Sequence, residues 1–246
     1  MTKIIGHRGA RNLWPENSLG GFRKALDLGV DAIEFDVHLT EAGDLVVIHD
    51  ATLDRTTEAS GPVRLLTRQS RLDAFLHGCG EAVPTLDEVL AVLAPAGIDL
   101  HVEIKADEAG RPYPGLAAHV AEALKRHGVI GRSHLTSFDT GVLETCRALA
   151  PTVPRLVSVN ADWAERQGGL AAFLAAVGDL VDIVAIEQTL MASEWDMIRV
   201  TWPLERLCVW TVNDAARIAD WLGRGVGHLT SDSPDVALEQ RAALSL

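Results

Sequence analysis

The sequence predicts a closed (β/α)8 barrel, and three observations lead there. Strand-like and helix-like stretches alternate from end to end, eight of each, and no segment of 20–50 residues repeats. The connections are short, and 246 residues is about the length one such barrel requires. Acids, imidazoles and hydrogen-bonding side chains recur at the end of one strand after another, the side on which such barrels assemble their sites. A doubly wound open sheet is the alternative, but it would need fewer units and a reversal of strand order.

Lys3–His7 is the first expected strand. Glu16–Leu28 carries helical spacing at Leu19, Phe22, Ala25 and Leu26 and is stopped by Gly29. Ala32–His38 reads as the second strand, with Ile33, Phe35 and Val37 on one face and Glu34, Asp36 and His38 on the other. A turn at 41–44 leads to an appended strand from Leu45 that ends in His49-Asp50. Residues 51–83 are the longest irregular section, broken at Ser60-Gly61-Pro62 and Gly78-Cys79-Gly80. They are expected as a small insertion over the barrel mouth, pinned by a local Asp54–Arg55 ion pair, within one domain spanning 1–246.

Thr85 and Glu88 form a capping-box pattern ahead of a helix running to Ala94. Asp99–Lys105 is the third strand and Leu116–Arg126 its helix; His134–Phe138 is the fourth, followed by a helix over Gly141–Ala150. Arg155–Val159, Asp182–Ile186, Arg206–Val212 and Gly227–Ser231 complete the strands. Their helices are read at Leu170–Val177, Ser193–Val200 and Ala215–Leu222, with the last starting at Ser233-Pro234.

Composition narrows the function. Hydrophobic residues make up 48% and charged residues 23%, an ordinary globular balance. The formal charge of −12 argues against a nucleic-acid backbone or an anionic membrane as the main partner. An anionic small molecule would then need local cations. Cys79, Cys146 and Cys208 are too scattered for a disulfide framework or a CxxC zinc site. No apolar run reaches membrane-spanning length and the N-terminal residues enter a strand directly, so a cytoplasmic location with no stable membrane association is expected. The oligomeric state is left open, a homodimer among the options.

The polar residues at the strand ends sort by chemistry. Glu34, Asp36 and Glu103 suit a hard divalent cation with oxygen ligands: Mg²⁺, Ca²⁺ or Mn²⁺. His7 and His49 suit acid–base work. Arg8 and Lys105 suit a bound oxyanion. A lone histidine is more often a satisfied core group, but His7 follows a glycine at a strand end and precedes Arg8-Gly9, which favours catalysis. His38 and His101 share the same face geometry. Metal, imidazoles and cations around one mouth fit phosphoester cleavage.

The same residues carry a resemblance. His7-Arg8-Gly9, Pro15-Glu16-Asn17-Ser18, Glu34-Phe35-Asp36-Val37, Val47-Ile48-His49-Asp50 and Leu53-Asp54-Arg55-Thr56-Thr57 occur in that order. Pro84-Thr85-Leu86-Asp87-Glu88, Val102-Glu103-Ile104-Lys105, Trp210-Thr211-Val212-Asn213 and Ser231-Asp232-Ser233-Pro234 follow. As a set these stretches resemble the glycerophosphodiester phosphodiesterases along nearly the whole chain. The resemblance implies a TIM barrel with an insertion after the second strand and one divalent cation, Mg²⁺ or Ca²⁺ with Mn²⁺ as the third option, on Glu34, Asp36 and Glu103. It implies His7 and His49 as the acid–base pair, Arg8 and Lys105 on the phosphate, and Trp210 as a wall for the glycerol. The implied products are glycerol 3-phosphate and a free alcohol such as choline or ethanolamine. Two other readings compete: a phosphodiesterase acting on lipids, which needs an apolar landing surface, and a barrel that only binds the diester, which would lack an acid–base or metal residue.

Overall fold

In the computed structural model, which describes residues 1–244, eight parallel strands close into a barrel with helices outside. The last two positions of the expected 1–246 domain, Ser245 and Leu246, lie outside the described residues. The order is β1 (Lys3–His7), α1 (Leu19–Leu28), β2 (Ala32–Leu39), β3 (Leu45–Val47), α2 (Arg68–Asp73), α3 (Leu86–Leu93), β4 (Asp99–Ile104) and α4 (Leu116–Arg126). It continues with β5 (Ser133–Ser137), α5 (Thr140–Leu149), β6 (Arg155–Val159), α6 (Ala161–Arg166), α7 (Leu170–Val177) and β7 (Ile183–Glu187). Then come α8 (Gln188–Ser193), α9 (Trp195–Thr201), β8 (Leu207–Trp210), α10 (Ala215–Gly223), β9 (His228–Ser231) and α11 (Pro234–Leu244).

β1 closes the barrel by pairing with both β2 and β9. The first half of β2 lies along β1, while its last residues, Val37–Leu39, pair with the antiparallel β3. Register then decides which side chains meet: His7 lies opposite Glu34, and Asp36 opposite Glu103. Val, Ile, Leu and Phe on the outward faces of the strands pack under the helices in two large apolar clusters. Ile5, Ala32, Leu156, Ile183, Ala185 and Cys208 fill the barrel interior.

Local chemistry sets most helix ends where the sequence placed them. Gly29 takes the left-handed conformation that ends α1, and the Thr85–Glu88 capping box starts α3. Some readings are corrected. α1 begins at Leu19 rather than Glu16, because Ser18 caps it by accepting from the Gly21 amide. The expected helix over Ser193–Val200 is two short ones, α8 and α9, and α6 was not foreseen. Residues 51–83 hold a single short α-helix, α2, and pack with Val46 and Ile48 around a separate small core that includes Leu53, Val63 and Leu76. Among the described residues, no helix is long and apolar enough to cross a membrane.

Candidate active site

The site starts from alternation along β2. Glu34 and Asp36 point into the barrel from one strand, and Glu103 joins them from β4. One oxygen from each carboxylate lies within 4.8 Å of the others. Asp36 is fully buried; it accepts from the Asn17 amide at 2.9 Å and faces Lys105 Nζ at 3.4 Å and Arg8 Nε at 3.5 Å. Burial alone would push its carboxyl up, but Lys105, His49 and Arg8 hold it below the usual range. Glu34 goes the other way. Burial, then repulsion from Asp36 and Glu103, raises it well above a normal glutamate, although the Arg8 backbone amide donates to it at 3.0 Å. Burial would lower Lys105, but Glu103, with which it bonds at 2.9 Å, and Asp36 raise it.

The residues present fit a divalent cation. Three carboxylates are clustered, Arg8 and Lys105 offset them in part, and Glu34 bears the deficit. Asp36 Oδ1 is buried without a hydrogen bond. An oxygen-only donor set of this kind suits Mg²⁺, Ca²⁺ or Mn²⁺ and not a soft metal.

Two histidine–carboxylate pairs flank the triad. His7 Nδ1 lies 2.5 Å from Asp232 Oδ1, leaving Nε2 facing Glu34 at 3.8 Å. Asp232 also takes the Asn213 amide at 2.8 Å and Arg11 Nε at 2.8 Å. Burial opposes its charge, yet the His7 contact, Asn213 and Arg11 bring it down to about 2. On the other side, His49 Nδ1 lies 2.6 Å from Asp50 Oδ1. Burial lowers the His49 imidazole against the pull of Asp36. Arg55 donates to Asp50 at 2.6 Å and to Glu16 at 2.7 and 3.0 Å, and Glu16 in turn accepts from Arg8 at 3.0 Å. The expected Asp54–Arg55 pair is thereby replaced: Asp54 accepts instead from the Gly61 amide at 3.2 Å.

Backbone conformation contributes as well. Arg8 and Asn17 are the two non-glycine residues with positive φ among those described, at 50° and 55°, and both touch Asp36. Such positions typically cost on the order of 1–3 kcal/mol and persist only where the surroundings fix them. At Gly6 a Cβ would sit 2.1 Å from the Gly9 carbonyl oxygen, so the turn that presents His7 and Arg8 excludes any larger residue.

A narrow cavity joins His7, Glu34 and Glu103 to Phe138 and Trp210, whose rings meet edge-on at 5.6 Å. A larger cleft of ≈ 540 Å³ opens around Thr2, Lys3 and His228, at the opposite end of the barrel, and lacks the carboxylate triad. The structure thus brings His7, His49, Arg8, Lys105, Glu34, Asp36, Glu103 and Trp210 to one end. Asp232, Asp50, Glu16 and Arg55 were not named as site residues from the sequence. Asp232 could have been found as the acid closing the eighth strand.

At the carboxyl end of a (β/α)8 barrel, this arrangement has the groups that cleavage of a phosphoric diester calls for: clustered carboxylates, two imidazoles and two cations. The model of the Glycerophosphoryl diester phosphodiesterase family matches residues 7–236, and the chain belongs to that family. A glycerophosphodiester phosphodiesterase of Bacillus altitudinis is 31% identical over 98% of both chains. One of Caldanaerobacter subterraneus subsp. tengcongensis is 37% identical over 61% of this chain, a match spanning 63% of that relative's length. The crystal structure of a glycerophosphodiester phosphodiesterase from Agrobacterium tumefaciens str. C58 has a TM-score of 0.78 at 27% identity, covering 98% of this chain and 100% of its own. A phosphodiesterase from Oleispira antarctica, solved with the product sn-glycerol-3-phosphate, shares the fold at a TM-score of 0.78 and 24% identity, over 98% of this chain and 96% of its own.

Proposed function

We propose that this chain is a metal-dependent hydrolase that cleaves glycerophosphodiesters to glycerol 3-phosphate and an alcohol. The observation that carries the proposal is the placement of two histidines, each held by its own carboxylate, on either side of the acidic triad. In each pair the carboxylate takes Nδ1, so Nε2 is left to exchange a proton with substrate or water. One imidazole takes the proton of the attacking oxygen, a substrate hydroxyl first and then the water that opens the resulting cyclic phosphate, and the other returns one to the departing alkoxide. His7 and His49 fill these roles, with their order left open.

Glu34, Asp36 and Glu103 would hold Mg²⁺, Ca²⁺ or Mn²⁺. When bound, such an ion supplies positive charge to the phosphoryl oxygens. Arg8 and Lys105 add cationic charge at the phosphate, and both are kept in place by carboxylates. Trp210 and Phe138 form an apolar wall for the glycerol carbons. The product-bound Oleispira phosphodiesterase supports this substrate class. Residues 51–83, part of the one expected domain, cover the mouth as a small insertion, and the enzyme is cytoplasmic.

Glycerophosphocholine and glycerophosphoethanolamine would be assayed after chelation, with each metal added back singly. Metal-restored release of glycerol 3-phosphate is expected. Alanine at His7 or His49 should cost roughly 10²–10⁴ in rate. Full activity after chelation would remove the metal, and unchanged rates in both histidine variants would remove the mechanism.

One observation favours a second reading. Leu65, Leu72 and Phe75 of the insertion are exposed at 52%, 46% and 39%, with Leu13 at 39%. Such residues could meet a lipid aggregate. Faster turnover of a lysophospholipid above its micelle concentration than of glycerophosphocholine would select this reading.

A further inference from the structure

β2 presents a third inward residue beyond the two acids. His38 follows Glu34 and Asp36 on the same face and is fully buried, with no exposed surface. Its Nε2 lies 3.2 Å from the backbone carbonyl oxygen of His49, and its Nδ1 lies 3.0 Å from the Tyr113 hydroxyl. The two rings meet edge-on with centroids 5.6 Å apart. A carbonyl can only accept, so Nε2 must carry the proton. In the neutral ring Nδ1 is then an acceptor, and the phenol must donate to it. The hydrogen bonds run one way, from Tyr113 through His38 to the main chain of His49.

That main chain is anchored to β2 twice. The Ile48 amide donates to the Asp36 carbonyl at 3.1 Å, and His38 holds the next carbonyl. Asp50 fixes the imidazole of His49, but nothing in that pair sets how far the ring stands from the acidic triad. The His38 bond does so, because His38 and Asp36 ride on the same strand. Tyr113 comes from the segment between β4 and α4, so it ties a third part of the chain to that spacing.

We propose that His38, oriented by Tyr113, is a positioning residue that sets the distance of His49 from the Glu34–Asp36 pair. The proposal rests on His49 as a proton-transfer group and would be tested by glycerophosphocholine turnover with metal added. Tyr113→Phe removes one hydroxyl, His38→Ala removes the contact, and His38→Gln keeps a donor near the Nε2 position. The first two should lower kcat, roughly tenfold or more for His38→Ala, with KM within about twofold, since a misplaced catalytic group loses rate rather than binding. His38→Gln should recover most of the loss.

The same changes made on a His49→Ala background should cost nothing further, because residues acting through one group are not additive. Equal losses with and without His49 would overturn the proposal, as would wild-type kcat in Tyr113→Phe and His38→Ala. If His38→Ala does not fold, Tyr113→Phe on the two backgrounds still decides. A His49→Ala enzyme with full activity would instead overturn the acid–base reading on which the proposal rests.

Discussion

A single oxygen atom, Asp232 Oδ1, takes both His7 Nδ1 at 2.5 Å and Arg11 Nε at 2.8 Å. The carboxylate is 1% exposed, so these contacts are little screened, and Asn213 closes its other oxygen. The carboxylate assigns the His7 proton to Nδ1 and leaves Nε2 free on the side of Glu34. Replacing Asp232 with Asn keeps the shape but lets the amide present its NH₂ to His7, which would favour the opposite tautomer. Asp232→Asn is therefore expected to lower kcat by roughly 10²-fold or more with little change in KM, as steady-state kinetics would show. Unchanged kcat would mean that His7 does not need this partner.

At the scale of elements, what was legible in the sequence is what alternation and caps encode. Glu34, Asp36 and Glu103 could be placed together because strand periodicity puts each on an inward face. Gly29 and the Thr85–Glu88 box marked helix ends that the structure keeps. What stayed hidden depends on pairing between distant segments: Asp232 meets His7 across 225 positions and Arg55 meets Glu16 across 39. Neither pair leaves a local pattern. α6 and the break between α8 and α9 were missed because short helices beside the strands show little periodicity. The segment 51–83 shows the consequence. Its Arg55 reaches out of the insertion to Asp50, the partner of His49, and to Glu16, the partner of Arg8. Its side chain is 46% exposed, so the ion pairs add at most about 1 kcal/mol to stability. Arg55→Gln should accordingly shift the melting temperature little while lowering kcat/KM roughly tenfold through a loosened His49–Asp50 pair. A large fall in melting temperature with unchanged kcat/KM would make Arg55 a structural brace only.

For the whole molecule, charge and burial make opposite claims about mild acid. A chain of formal charge −12 should gain stability as protons reduce its self-repulsion, but that repulsion is screened within about 10 Å at ordinary salt. Inside the barrel, His101, His134 and His228 stand together, with His101 ring centroids 5.1 Å from His134 and 6.1 Å from His228. Burial first, then the His134 imidazole and Lys3, pushes His228 down to about 4, and His101 is lowered as well. A histidine lowered on folding binds its proton more readily in the unfolded chain. Its contribution is complete above the unfolded value near 6.5 and is lost as pH falls towards 4. For His228, which is 7% exposed, the loss across that window is on the order of 3 kcal/mol. Glu34, raised by burial, slopes the other way over part of the same range, since its contribution is lost as pH rises through its folded value. Comparing wild type with His228→Asn at each pH cancels Glu34 and the surface charges, because both are common to the two proteins. Denaturant unfolding should therefore show the wild type losing stability more steeply than His228→Asn between pH 6.5 and 4. Parallel curves would mean that His228 is charged in the folded barrel, with its proton compensated from the floor around Asp99 rather than excluded by burial.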